Sequence, residues 1–104
     1  MKSISVSELK ARLDKGDDIQ VIDVREQMEY DICNIGGELI PMGEIMENLD
    51  KISRDKDVVI HCRSGGRSGS IVQMLDSKGF TNLHNLTGGI LAWADEIDPS
   101  MPKY

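Results

Sequence analysis

Val58-Val59-Ile60-His61 is a short, β-branched apolar run, and it meets Cys62-Arg63-Ser64-Gly65-Gly66-Arg67-Ser68-Gly69 with no spacer between them. Ile71, Val72 and Leu75 then recur at helical spacing as far as Gly79. The stretch predicts a strand, a tight glycine-rich loop and a helix in immediate succession. An apolar strand feeding a helix in this way needs a sheet to join, which points to an α/β layer.

The flanking sequence repeats the alternation. Ser5-Val6-Ser7-Glu8 is a capping box with Ser5 as N-cap, and Ile4 before it can staple onto Leu9. Val6, Leu9 and Leu13 continue that helix until Gly16, a left-handed stop. Ile19 to Val24 is short, β-branched and bounded by Asp17-Asp18, the pattern of a buried strand, with Asp23, Arg25 and Glu26 at its carboxyl end. Behind Pro41, Met42, Ile45, Met46 and Leu49 fall at i, i+3, i+4 and i+7, which predicts an amphipathic helix whose methionines pack into the core. Leu83 to Leu86 reads as a last short strand, and Gly88-Gly89 opens a final helix through Leu91 and Trp93, with Trp93 as its core anchor. Pro99 and Pro102 mark residues 99–104 as a frayed tail. Alternation without repeats or linkers predicts a mostly parallel sheet with helices on both faces, and a site outside the carboxyl ends of the strands.

Composition narrows the function. Eighteen acidic against twelve basic residues give a formal net charge of −6, and no Lys/Arg cluster offers the phosphate neutralisation that nucleic acid demands. Neither a leader-like pattern nor an eighteen-residue apolar run is seen, so no membrane partner is expected and a cytoplasmic location is. At 104 residues the chain has room for one domain, 1–104. Two cysteines, Cys33 and Cys62, are too few for a disulfide scaffold, and no Cys/His spacing suggests a metal.

Cys62 is where the chemistry concentrates. A loop turning from strand to helix leaves backbone N–H groups unpaired, and Gly65 and Gly66 let them converge as an anion nest. The helix N-terminus, Arg63 and Arg67 add positive potential, so the nucleophilic thiolate is favoured without a separate base. Cys33, in Asp31-Ile32-Cys33-Asn34, reads as a packing residue. His61 alternates to the strand face opposite Cys62 and reads as a hydrogen-bonded core residue, while His84 has no context. Arg25 after Asp23 fits a strand-end salt bridge or a substrate contact equally.

Taken in order, these residues resemble the single-domain rhodaneses, sulfurtransferases of the thiosulfate:cyanide type. The resemblance runs through Val21-Ile22-Asp23-Val24-Arg25, Glu29-Tyr30, Ile40-Pro41, Val59 to Ser68, Leu86-Thr87-Gly88-Gly89 and Trp93. It implies a central, mostly parallel sheet of about five strands, a persulfide carried on Cys62 and held by the loop amides from Arg63 through Ser64, Gly65 and Gly66 to Arg67, and no cofactor. Arg63 and Arg67 would assist a small anionic sulfur donor, Asp23 and Arg25 would support the site, and the acceptor would be cyanide, a thiol, a thioredoxin-like dithiol or a sulfur-carrier protein. One segment departs from the family. Where the family has Gly-His-Ile-x-Gly-Ala, this chain has Cys33-Asn34-Ile35-Gly36-Gly37-Glu38 and one residue fewer before Ile40-Pro41.

Loop length separates the nearest alternatives. Protein-tyrosine and Cdc25-like phosphatases use Cys-x5-Arg, a ring wide enough for a phosphoryl group, whereas Cys62 to Arg67 is Cys-x4-Arg. Phosphatase or arsenate reductase activity is thus the alternative enzymatic reading. A non-catalytic interaction module presenting the acidic surface is the alternative of another class.

Overall fold

The computed structural model covers residues 1–104. Strands β1 (Lys2–Ile4), β2 (Gln20–Asp23), β3 (Glu38–Leu39), β4 (Val58–His61) and β5 (Leu83–Leu86) alternate with helices α1 (Val6–Asp14), α2 (Gln27–Ile32), α3 (Gly66–Asp76) and α4 (Gly89–Glu96). All strand pairs are parallel, in the order β1-β5-β4-β2-β3. This is the α/β layer that the sequence predicts, with a five-stranded sheet.

Local signals set several boundaries. The Ser5 hydroxyl accepts from the Glu8 N–H at 3.1 Å while the Glu8 carboxylate accepts from the Ser5 N–H at 3.0 Å, so both halves of the capping box form. Gly16, at φ +77°, ends the turn after α1. Because side chains alternate along a strand, β4 feeds two cores. Val58, Ile60 and then Cys62 join Ile22, Val24, Ile71, Val72 and Leu75 on the α3 side. Val59 joins Ile4, Leu9, Leu86 and Trp93 on the side of α1 and α4. Helices therefore cover both faces.

The stretch after Pro41 departs from expectation. Residues Met42–Glu47 and Leu49–Lys51 are two 3-10 helices, and Met42 and Met46 are exposed, at 37% and 48%. In a helix of three residues per turn, position i+4 lies a third of a turn from position i, so Met42 and Met46 cannot share a buried stripe. Ile45 alone of the four is fully buried, and Leu49 is partly so. Ties at both ends hold the tight coil: the Met42 N–H donates to Val24 O at 2.9 Å, and Asn48 Nδ2 donates to Glu44 O at 2.7 Å. The reshaped segment before β3 is held by Asn34, whose Oδ1 accepts from the Gly36 N–H at 2.9 Å, and by Tyr30, whose hydroxyl donates to Gly37 O at 2.8 Å.

In the tail, Met101 packs against the α1/α4 core and Lys103 pairs with Asp95. No helix is long and apolar enough to cross a membrane.

Candidate active site

Cys62 sits at the carboxyl end of the central strand β4, and its side chain is almost wholly buried. The chain leaves the strand and must reverse into α3 within three residues. Gly65 makes this possible at φ +113°, a left-handed conformation that side chains disfavour. The turn aims donors at one atom. The Gly65 N–H lies 3.1 Å from Cys62 Sγ, and the N–H and hydroxyl of Ser68 each lie 3.4 Å from it. Burial pushes the thiol up. Hydrogen bonding from Ser68, and from the N–H groups of Gly65 and Ser64, outweighs that penalty and brings it below the ordinary cysteine value.

The outer side of the loop is pinned by α4. Ile90 and Leu91 donate their N–H groups to the carbonyls of Cys62 and Arg63 at 3.0 and 3.1 Å. Gly89 allows this approach, because a Cβ there would stand 2.5 Å from Arg63 O and 2.7 Å from Cys62 O. With its carbonyls bound outward to the start of α4, the loop is left to turn N–H groups inward. The glycine pair read as a helix start is thus also part of the site's scaffold.

The two arginines of the loop have different surroundings. Arg67 forms a bidentate pair with Glu29 of α2, at 2.7 and 2.8 Å. The Arg67 hydrogen bonds hold the Glu29 carboxyl down at about 2 despite its burial, and Arg67 is raised in turn by Glu29. Arg63 is exposed, and its guanidinium carbon lies 5.7 Å from the centre of the Tyr104 ring. Asp23 and Arg25 are both completely buried. Arg25 Nη2 donates to Asp23 Oδ2 at 2.8 Å and to Cys33 O at 2.7 Å, and Nη1 donates to Glu29 O at 3.3 Å. The pair is a strand-end salt bridge that anchors α2, with no free edge for a substrate.

His61 is buried opposite Cys62, as alternation requires, but it is poorly bonded. Its Nδ1 lies 3.4 Å from Cys62 O, while Nε2 has no hydrogen-bond partner and is 3.8 Å from Asp23 Oδ2. Burial lowers its pKa, which keeps the imidazole neutral and makes it a core residue with one orphaned nitrogen. His84 acquires a context that sequence did not supply: Nε2 is 3.3 Å from Asp57 Oδ1. Cys33 is a buried free thiol, and its backbone carbonyl is the group in use. Sequence reasoning missed Glu29 and Asn85 as site residues, since each meets the loop from another element.

The family model described as "Rhodanese-like domain" matches residues 5–96. The chain belongs to the rhodanese-like family. It is 37% identical over 100 residues to a putative sulfurtransferase of Bacillus subtilis, YtwF, covering 95% of this chain and 96% of that one. It is 38% identical over 105 residues to the probable adenylyltransferase/sulfurtransferase MoeZ of Mycobacterium tuberculosis, covering 98% of this chain but 27% of that protein. The crystal structure of a rhodanese-like domain protein from Staphylococcus aureus superposes with a TM-score of 0.84 at 33% identity, covering 100% of this chain and 99% of that one. The fold is therefore rhodanese-like and the family is one of sulfurtransferases. Among first-ranking curated relatives the chain spans only 27% to 38% of their length, so the rhodanese-like unit also occurs within larger proteins.

Proposed function

We propose that this chain is a sulfurtransferase that carries sulfane sulfur on Cys62. The observation that supports this reading most is the convergence of the Gly65 and Ser68 N–H groups on one sulfur atom. Donors so arranged stabilise negative charge on a single soft atom, as thiolate or as persulfide. A small anionic donor such as thiosulfate would be drawn by Arg63, the exposed cation of the loop. Arg67 would add its positive field while its fork is held by Glu29.

In the first half-reaction the Cys62 thiolate attacks the outer sulfur of thiosulfate. A bond forms between the two sulfurs as the S–S bond of the donor breaks, and sulfite leaves with the bonding pair. In the second, a thiophilic acceptor attacks the outer sulfur of the persulfide and the Cys62 thiolate is regenerated. Electrons balance without a cofactor. Cyanide serves as the acceptor in an assay. A thiol, a thioredoxin-like dithiol or a sulfur-carrier protein would serve in the cell.

The decisive measurement is intact mass after incubation of reduced protein with thiosulfate, then with cyanide. Wild type should gain one sulfur atom and lose it again, while Cys62→Ser should gain none and Cys33→Ser should behave as wild type. Sulfur transfer by Cys62→Ser should fall about a thousandfold or more, to background. Equal loss in the two cysteine variants would require a two-cysteine mechanism. Failure of wild type to load sulfur would remove thiosulfate as donor, and turnover of an aryl phosphate or arsenate would then favour the phosphatase alternative.

A further inference from the structure

Ser68 Oγ faces two acceptors, Asn85 Oδ1 at 2.5 Å and Cys62 Sγ at 3.4 Å. A hydroxyl has one proton to give. The orientation of the Asn85 carboxamide decides where that proton rests. Asn85 Nδ2 lies 3.2 Å from Gly65 O, where only the nitrogen can donate; the reverse orientation would set two oxygens face to face. Oδ1 therefore faces Ser68, and an amide oxygen can only accept. The Ser68 proton rests on Asn85, at the shorter distance, and Ser68 offers the resting thiol a lone pair. Gly69 makes room for this arrangement, since a Cβ there would stand 3.3 Å from Asn85 Nδ2.

We propose that Asn85 is a positioning residue that holds the Ser68 proton away from Cys62, so that the nucleophile stays less acidic than it would be with Ser68 free to donate. The proposal rests on the reading of Cys62 as the sulfur-carrying nucleophile. The backbone N–H groups of Gly65 and Ser68 favour the thiolate unconditionally. The hydroxyl can do so only by turning from Asn85, which then loses its partner in a partly buried site. A thiolate formed at a higher pKa is intrinsically more nucleophilic, so the restraint trades thiolate fraction for nucleophilicity.

The charged groups around Cys62 are common to all variants that test this. Arg67 from α3 is paired with Glu29 from α2; Asp23 is paired with Arg25 beyond β2; and His61 and Arg63 flank Cys62 in sequence. On β5 the one titratable side chain, His84, faces Asp57, and on α4 Asp95 pairs with Lys103 while Glu96 is exposed.

The test is the pH dependence of Cys62 alkylation by iodoacetamide in a Cys33→Ser background. Asn85→Ala should lower the midpoint by about 1–2 pH units, the effect of one hydrogen bond to a charged group. In a Ser68→Ala background the same substitution should shift it by less than about 0.2 unit, since the effect runs through Ser68. Ser68→Ala alone, with Asn85 intact, should also leave the midpoint nearly in place, and this variant decides the matter even if Asn85→Ala does not fold. A rise of about one unit in Ser68→Ala would mean that Ser68 already donates to sulfur, and would overturn the proposal. So would an unchanged or raised midpoint in Asn85→Ala, or an equal shift without Ser68. Alkylation reads Cys62 acidity whether or not sulfur is transferred, whereas sulfur loading is read separately by mass.

Discussion

The two ends of the sheet differ in kind. At the carboxyl end, loop amides and a hydroxyl crowd around a nearly buried Sγ, with Arg67 paired to Glu29 beside them, and the molecule's one open cavity lies elsewhere. At the amino end lies an open cavity of about 580 Å3, lined by Leu13, Gln20, Ile35, Glu38, Asp50 and Lys56 among others. Gln20 in its wall is already engaged: Nε2 donates to Lys51 O at 2.8 Å, and Oε1 accepts from the Ser53 N–H at 2.8 Å. Volume and chemistry are separate here. A parallel sheet leads each strand out at its carboxyl end and each helix in at its N-terminus, so unpaired N–H groups gather at that end whether or not a cavity is present.

Substitutions can break this contrast, and the largest effect is expected where backbone meets backbone. Gly89→Ala would drive a Cβ into the carbonyls of Arg63 and Cys62 at φ +58°. It should cost about 3 kcal/mol or more, and should depress sulfur transfer in whatever protein remains folded. Denaturant unfolding and a single-turnover assay check both halves; a fully active, fully stable Gly89→Ala protein would mean that α4 does not shape the loop.

An intermediate effect is expected at the Arg67–Glu29 pair. Glu29→Gln should cost about 1–2 kcal/mol at neutral pH, because a mostly buried bidentate pair loses its charge. The sign with pH follows from the lowered carboxyl. Stability from Glu29 is present above its ordinary value of 4.5 and is lost as pH falls toward about 2. The difference between wild type and Glu29→Gln should therefore shrink across that acid window, as unfolding midpoints at several pH values would show. A difference that stays constant would place the contribution of Glu29 in packing instead.

The smallest effect belongs to the amino end. Gly36 has φ +83° but open space around the position of a Cβ. Gly36→Ala should cost only the left-handed backbone penalty, about 1–2 kcal/mol, with sulfur transfer per folded molecule unchanged. Loss of transfer in that variant would bring the amino-end cavity into the mechanism and sharpen the question of what binds there.

Much of this was legible from local pattern. The capping box at Ser5, the strand at Val58, the left-handed stop at Gly16 and the strand–loop–helix unit around Cys62 depend on a few adjacent residues, whose conformational preferences act over the same short range. The same locality misled at Met42 and Met46. Their i, i+4 spacing shares a face only in an α-helix, and bonds to Val24 and within the turn hold that stretch as a 3-10 coil.

The role of each residue around the nucleophile was a tertiary matter. Sequence placed Cys62 at the head of a glycine-rich loop carrying two arginines, and on that alone it singled out Cys62 as the candidate nucleophile and sulfur transfer as the chemistry to propose for it. The strand order β1-β5-β4-β2-β3 then put β5 on one side of β4 and β2 on the other. That order brings Asn85 to Ser68, and brings Glu29, 38 residues away in the chain, to Arg67. Arg67 became a paired cation and Arg63 the exposed one for the same reason. A side chain's neighbours along the chain fix its conformation, but its hydrogen-bond partners are fixed by which strands the sheet sets side by side.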